Sequence, residues 1–521
     1  MSRPELKELL EAATAARDYH FVDRVGLWEE RVLMHVADID PVVKQHATGE
    51  PLGLPPVARL QAAGAPAELP ADGQSEDLCF ASAREVAARI KRKEISPVDV
   101  ANALLRQAEN KKDLNAFISL YPEAVLARAR ALEEKLARGE ALGPLAGVPV
   151  AVKDLMRVKD HPFTGGTRAL PGEVSKTDAV AVAKLRAADS LIIGNTNLHE
   201  LAYGVTSANP HFGAVVNPRA PSRVPGGSSG GSGAALAAGL SAIAVGTDTG
   251  GSIRIPAACC GVVGFKPSYE QVSREGVLPL AWSLDHIGPL TRTVGDAALA
   301  FEVMAGLKAG SGNVAPAQKL KLVRPLPFFF DYLDGDTASA FNRVLGKLEK
   351  AGARIQERSI ADMRLAASTQ FVTLASEGCQ ANWHLLTSAG DRIGEDVRVR
   401  LEVGQFIAAI DYINAQRLRR QLRDNMIAAL KPGEVFVLPT LPIVPVEKGV
   451  RFVDFGGRKI PTPGAMTRLT GPFNFSGLPA LSLPCDEWVP GLPFSLQLAG
   501  RPGADLGVLS VGLAVEEILR G

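Results

Sequence analysis

The sequence predicts an α/β protein built on a mixed β-sheet covered by helices. Three observations predict it. Helical patterns alternate with single apolar strands along most of the 521 residues, as strand–helix units require. The strands are short apolar runs, as expected where a sheet is covered by helices. Hydrophobic residues make up 46% and charged residues 22%, an ordinary balance for a chain long enough to bury a large core.

Two domains are expected. Residues 1–75 read as an N-terminal helical extension and linker, and 76–521 as the main domain. Pro4 to Arg17 places Leu6, Leu9, Leu10 and Ala13 on one helical face, and Leu27 to Val36 forms a second helical pattern. Residues 50–76 are rich in Pro, Gly and Ala and read as a loop. The extension is read as a helical cap, with a dimerisation or lid element as the alternative, and it hints at a homodimer.

In the main domain, Ser82 followed by Glu85 and Val86 has the spacing of a capping box, which predicts a helix over 82–93. Pro97 suits the first turn of a helix over 97–109. A third helix is expected over 121–138. Val148 to Val152 is a short apolar strand running into Lys153 and Asp154. A helix over 178–188 then precedes a buried strand over 190–194. Ser232 to Leu240 reads as a small-residue helix with Ser232 as a candidate cap, and Ser241 to Gly246 as a strand. Strands near 319–324 and 434–438, a helix over 337–351 and a long helix over 405–430 continue the alternation. Strands over 480–483 and 494–498 and a final helix over 509–519 complete it.

The bulk numbers exclude several functions. Lys plus Arg is 57 against 56 for Asp plus Glu, so net charge gives no reason to expect a nucleic-acid or acidic-lipid partner. Cys79, Cys259, Cys260, Cys379 and Cys485 show no C-x-x-C spacing, and no H-E-x-x-H occurs, so no metal is expected. The five cysteines do not form a disulfide framework. The start of the chain is charged and lacks an apolar signal core, and no apolar run reaches the roughly 20 residues of a spanning helix. A cytoplasmic location without membrane attachment is the expectation.

Glycine and proline carry the informative irregularity. The chain has 51 Gly and 36 Pro, and the glycines concentrate in two places. One is Pro225-Gly226-Gly227-Ser228-Ser229-Gly230-Gly231-Ser232-Gly233. The other runs from Gly246 through Thr247-Asp248-Thr249-Gly250-Gly251-Ser252-Ile253-Arg254-Ile255 to Pro256. A phosphate cradle would need G-x-x-x-x-G-K-[ST], which is absent. A flexible linker does not fit the apolar flanks. The remaining reading is a backbone scaffold for serine nucleophiles, where missing Cβ atoms let amide N–H groups converge on an oxyanion. No G-x-S-x-G elbow surrounds Ser228 or Ser252, which weakens a Ser-His-Asp triad. Lys153, at the end of an apolar strand, is the alternative base, because burial lowers a lysine pKa.

The run from Gly226 to Pro256 resembles the signature of the amidase signature family of serine hydrolases. The resemblance extends to Gly147–Asp154, to Asn195-Thr196-Asn197-Leu198-His199-Glu200, to Ser283–Pro289 and to the blocks around Pro472–Ala480. It covers roughly residues 80–515 and implies the amidase-signature fold, a central twisted mixed β-sheet covered on both faces by α-helices. It also implies a Ser-cisSer-Lys triad without a cofactor: Ser252 as nucleophile, Ser228 as bridging serine after a cis bond from Gly227, and Lys153 as base. The oxyanion hole falls among Thr249, Gly250, Gly251 and Ser252. Ser229, Asp248 and Arg254 are expected to support the site, and Asn197 and Glu200 to partner its loops.

The implied reaction is hydrolysis of a small-molecule amide to a carboxylate plus ammonia or an amine. Met156, Phe163, Tyr203 and Trp282 lie near the motifs and are candidate residues of a partly apolar pocket, which favours an aliphatic or aryl amide. The alternative is the glutamine-hydrolysing subunit of a tRNA-dependent amidotransferase. Against it stand the N-terminal extension and the segment Asp411–Gln416, which departs from the paired-tyrosine form expected there.

Overall fold

In a computed structural model, the structure describes residues 75–170, 172–307 and 319–520. The expected helices over 4–17 and 27–36 lie outside the described residues. Eleven strands form one sheet: β1 (Phe117–Leu120), β2 (Pro149–Lys153), β3 (Leu191–Thr196), β4 (Ile243–Asp248), β5 (Val263–Lys266), β6 (His286–Thr291), β7 (Lys321–Leu326), β8 (Arg354–Ser359), β9 (Val435–Pro439), and, after a separate hairpin of β10 (Phe452–Phe455) and β11 (Arg458–Pro461), β12 (Ala480–Val489) and β13 (Leu492–Ala499). Their spatial order is β1-β3-β2-β4-β6-β5-β12-β13-β9-β7-β8. The sheet is mixed, as expected. β2 runs parallel to β3 and β4, and β7 parallel to β8 and β9, whereas β6, β12 and β13 pair antiparallel with their neighbours.

Helices flank this sheet, and the central strands explain why. Every residue of β2, β3 and β4 is buried, so their near-continuous apolar runs match two-sided coverage. The helices are started by local signals. Ser82 accepts from the Glu85 N–H at 3.1 Å, the first half of the expected capping box. The complete box sits one helix later, where Ser96 and Asp99 bond each other's backbone N–H groups and Pro97 fills the first turn of Pro97–Asn110.

The Ala-rich helix begins earlier than expected, at Gly230, and runs to Ala237. Ser232 is therefore inside it rather than capping it, and its hydroxyl meets Thr196 Oγ1 at 2.8 Å. The small residues of this helix allow close approach to the neighbouring chain. A Cβ on Gly231 would collide with the backbone oxygens of Asn197 and Ala116. Gly231→Ala should therefore destabilise the protein by roughly 1–3 kcal/mol, read as a lower urea midpoint.

The short pieces around the centre were not expected as elements. They include β5, β6 and the helix Arg254–Cys260. Each carries Gly or Pro within its span, which obscures periodicity. The glycines serve close packing: a Cβ on Gly264 would lie 2.7 Å from that of Ala257. Among the described residues, no helix is long and apolar enough to cross a membrane.

Candidate active site

The site forms at the ends of β2 and β4. β2 delivers Lys153, and β4 runs into the loop Thr249–Ile253 that carries Ser252. The small-residue loop 225–229 crosses beside them. A Cβ on Gly227 would lie 2.8 Å from the backbone of Val205, so a glycine suits this crossing. The peptide bond between Gly227 and Ser228 is cis.

Lys153 is fully buried, and its Nζ lies 2.7 Å from both Ser228 Oγ and Thr247 Oγ1. Burial lowers its pKa to about 7, against the opposing pull of Asp248 and Asp285. Ser252 is 6% exposed and faces a cavity of about 480 Å³. Its carbonyl accepts from the Ser229 N–H at 3.2 Å, which ties the two glycine-rich loops together. The Ser252 hydroxyl has no hydrogen-bond partner among the described residues. The same holds for the N–H groups of Thr249, Gly250, Gly251 and Ser252, so four amide donors remain available at the cavity.

The loop's shape is fixed from beneath. Asp248 Oδ2 accepts from the N–H groups of Ile253 at 3.1 Å and Arg254 at 3.4 Å. The Arg254 guanidinium returns to the Asp248 carboxylate at 2.8 Å and 3.0 Å. It also donates to Thr470 O at 2.9 Å, Gln497 Oε1 at 2.7 Å and Asn474 Oδ1 at 2.7 Å. Both members of the pair are fully buried. Burial alone would raise the Asp248 carboxyl, but the Arg254 charge and hydrogen bonds hold it well below the usual carboxylate range. Gly251 adopts φ +133°, and a Cβ there would strike the Thr470 side chain and lie 2.8 Å from Ile255 Cδ1.

The expected supports are therefore together. Ser229 Oγ donates to Thr247 O at 3.3 Å. Asn197 donates to Asn115 O and Gly213 O, and Glu200 pairs with His211 at 2.7 Å. Several polar groups escaped the sequence reading. Thr247 is the second partner of Lys153. Asp285 accepts from Thr249 Oγ1 at 2.6 Å, and burial raises it to about 6 despite that bond and the N–H groups of Ala281 and Leu280. Asp154, next to Lys153, is raised by burial to about 7 despite bonds from Thr164 and Asn195. Asp285 and Asn474 both fall within sequence blocks that resemble the family, which was the available signal.

The four candidate pocket residues separate. Tyr203 lines the cavity. Met156 does not; it is wholly buried in the core and bridges Val277. Phe163 is half-buried away from the cavity, and Trp282 is 40% exposed and also outside the lining. Proximity to a motif in sequence did not decide which way these side chains face. The cavity wall comes largely from distant segments, including Phe328, Phe371 and Leu374. No group of three His, Cys, Asp or Glu suited to a metal occurs among the described residues.

A mixed sheet whose central strands deliver a buried lysine and two glycine-shaped serine loops defines a class of hydrolase. The Amidase family model matches residues 99–509, and the chain belongs to this family of enzymes acting on carbon–nitrogen bonds. Among characterised relatives, the chain is 35% identical to the A component of the glutamyl-tRNA(Gln) amidotransferase of Symbiobacterium thermophilum, over 82% of this chain and 94% of that one. It is also 35% identical to the same component of the Moorella thermoacetica enzyme, over 85% and 97%. Among solved structures, one described as an amidase is 37% identical with a TM-score of 0.81, covering 84% of this chain and all of that one. A bacterial aryl acylamidase of the amidase signature family is 28% identical with a TM-score of 0.76, covering 84% and 96%.

Proposed function

We propose that this chain hydrolyses a primary carboxamide to a carboxylate and ammonia through an acyl-enzyme on Ser252. The observation that carries this reading is the wholly buried Lys153 amine, brought to about 7 by burial and placed 2.7 Å from the Ser228 hydroxyl. An amine that is neutral near pH 7 keeps a lone pair for Ser228 while donating to Thr247.

The steps follow from that pair. Ser228 passes its proton to Lys153 Nζ and takes the proton of Ser252. The Ser252 Oγ then bonds to the amide carbon, and the oxyanion receives the N–H groups of the 249–252 loop. Such a donor contributes about 3–4 kcal/mol in the transition state. The proton returns through Ser228 to the departing nitrogen as the C–N bond breaks, releasing ammonia. Water adds to the acyl ester by the same relay, and Ser252 recovers its proton. Ser252→Ala should lower kcat by about 10³-fold or more, read as ammonia released per enzyme.

Two donors compete. The relatives' names support glutamine, hydrolysed by this chain as one component of a tRNA-dependent amidotransferase. The identity of about one third over most of both chains supports this more strongly than it supports a small neutral donor. The second reading is a partly apolar aliphatic or aryl amide, supported by the wall of Tyr203, Leu280, Phe328, Phe371 and Leu374 and by the likeness to the aryl acylamidase. Ammonia and amine release across glutamine, acetamide, anilides, ureas and carbamates separates them. Glutaminase activity with a copurifying partner supports the first, and amide turnover by the chain alone supports the second. Failure on every amide overturns the hydrolytic reading.

A further inference from the structure

The cavity that meets Ser252 is unevenly charged. Its walls carry five cationic side chains, Arg364, Arg400, Arg458, Lys459 and Arg468, against one carboxylate, Asp331. Three of these cations are already engaged. Arg400 pairs with Asp396 at 3.0 Å and donates to the Tyr203 carbonyl. Arg468 lies 3.9 Å from Asp331, donates to Phe328 O at 3.0 Å and sits over the Phe328 and Tyr332 rings. Arg458 donates to the Tyr332 hydroxyl at 2.8 Å.

Arg364 and Lys459 differ. Both are exposed, and neither side chain has a hydrogen bond or ion pair among the described residues. They come from separate elements, the turn at 363–365 and the strand β11, yet both line the one cavity. An apolar acyl group accounts for the aromatic and leucine wall, but it leaves these two charges without a counterpart. A cavity dominated by one sign of charge attracts ligands of the opposite sign.

We propose that the acyl group taken at this site ends in a carboxylate read by Arg364 and Lys459, so that the substrate class is the half-amide of a dicarboxylic acid. This rests on the hydrolytic role of Ser252 argued above and names the acyl group it acts on. An ammonium beside that carboxylate gains little, because Asp331 is the only lining acid and already faces Arg468.

The test compares the half-amide of glutaric acid with pentanamide, its neutral counterpart, and with glutamine, which adds the ammonium. The expected kcat/KM is about tenfold or more higher for the half-amide than for pentanamide, shrinking as salt is added. Glutamine should do no better than the half-amide. In the Arg364→Ala/Lys459→Ala double variant the ratio of half-amide to pentanamide should fall to near one through KM, and Arg364→Lys should restore most of it. A wild-type ratio near one, a ratio unchanged in the double variant, or a clear preference for glutamine overturns the proposal. Calorimetric binding of the same compounds to Ser252→Ala reads the preference without turnover. Tighter binding of the half-amide with no amide hydrolysed by the parent enzyme would overturn the catalytic role of Ser252 and leave this inference standing. Equal binding would overturn this inference alone.

Discussion

Replacing Lys153 by Ala should lower kcat by about 10³-fold or more while the fold persists, because removing one member of a proton-relay unit removes the function of the whole unit. The variant leaves Ser228 and Thr247 able to bond each other or water, so the structural cost is smaller than the catalytic one. The pH profile sharpens the expectation. Lys153 works as a base only when neutral, and burial brings its pKa to about 7. kcat/KM should therefore rise with pH, bend near 7 and level off above it. The sign follows from the lowered pKa: protonation on the acid side removes the acceptor. A lysine at its ordinary value of 10.5 would instead keep activity climbing far into the alkaline range. Residual activity in Lys153→Ala should lose the bend near 7. Turnover within a few-fold of the parent would contradict the assigned role.

The second large effect is on stability. Arg254→Ala removes the partner of a wholly buried carboxylate, and a buried charge left alone costs about 3–5 kcal/mol. Arg254 also ends on Thr470, Gln497 and Asn474, so its loss frees acceptors in three further segments. Asp248 positions the residues that follow Ser252, which couples the stability loss to activity. The expected result is a strongly lowered unfolding midpoint together with lost turnover. An exposed ion pair would give less than about 1 kcal/mol. A midpoint shift of that size would show that the pair is not buried as described.

The two effects have one origin. Two loops without side-chain bulk approach each other closely, and the polar groups that shape them must be buried with their partners. The lysine works by being desolvated without a direct carboxylate contact, whereas Asp248 is held charged by a guanidinium. One fold thus keeps an amine near neutrality and a carboxylate ionised a few residues apart in space.

How much of this was legible in sequence depends on where the information resides. The fully buried strands β2, β3 and β4 announce themselves as apolar runs, and Lys153 stands at the end of one. The glycine loops announce themselves by composition, because their function is carried by backbone. The extents of β5 and β6 were hidden, since Gly264 and Gly288 pack directly on neighbouring chain and break the pattern that marks a strand. Ser232 has the residue type of a cap, but the helix starts two residues earlier at Gly230. The pocket was the least legible part. Trp282 and Met156 are close to motifs along the chain, yet one faces solvent and the other the core. The wall is assembled from residues around 328–332, 364–374 and 458–472, a juxtaposition that only tertiary packing creates.

The central claim is that Ser252 is the nucleophile and that Lys153 activates it through Ser228. The most direct measurement is peptide-resolved mass spectrometry of the protein after treatment with a fluorophosphonate, which bonds covalently to an activated serine. The account predicts a single adduct on Ser252, strongly slowed in Lys153→Ala and in Ser228→Ala. An adduct on Ser228 or another residue, or labelling of Ser252 at an undiminished rate in the Lys153→Ala variant, would contradict it.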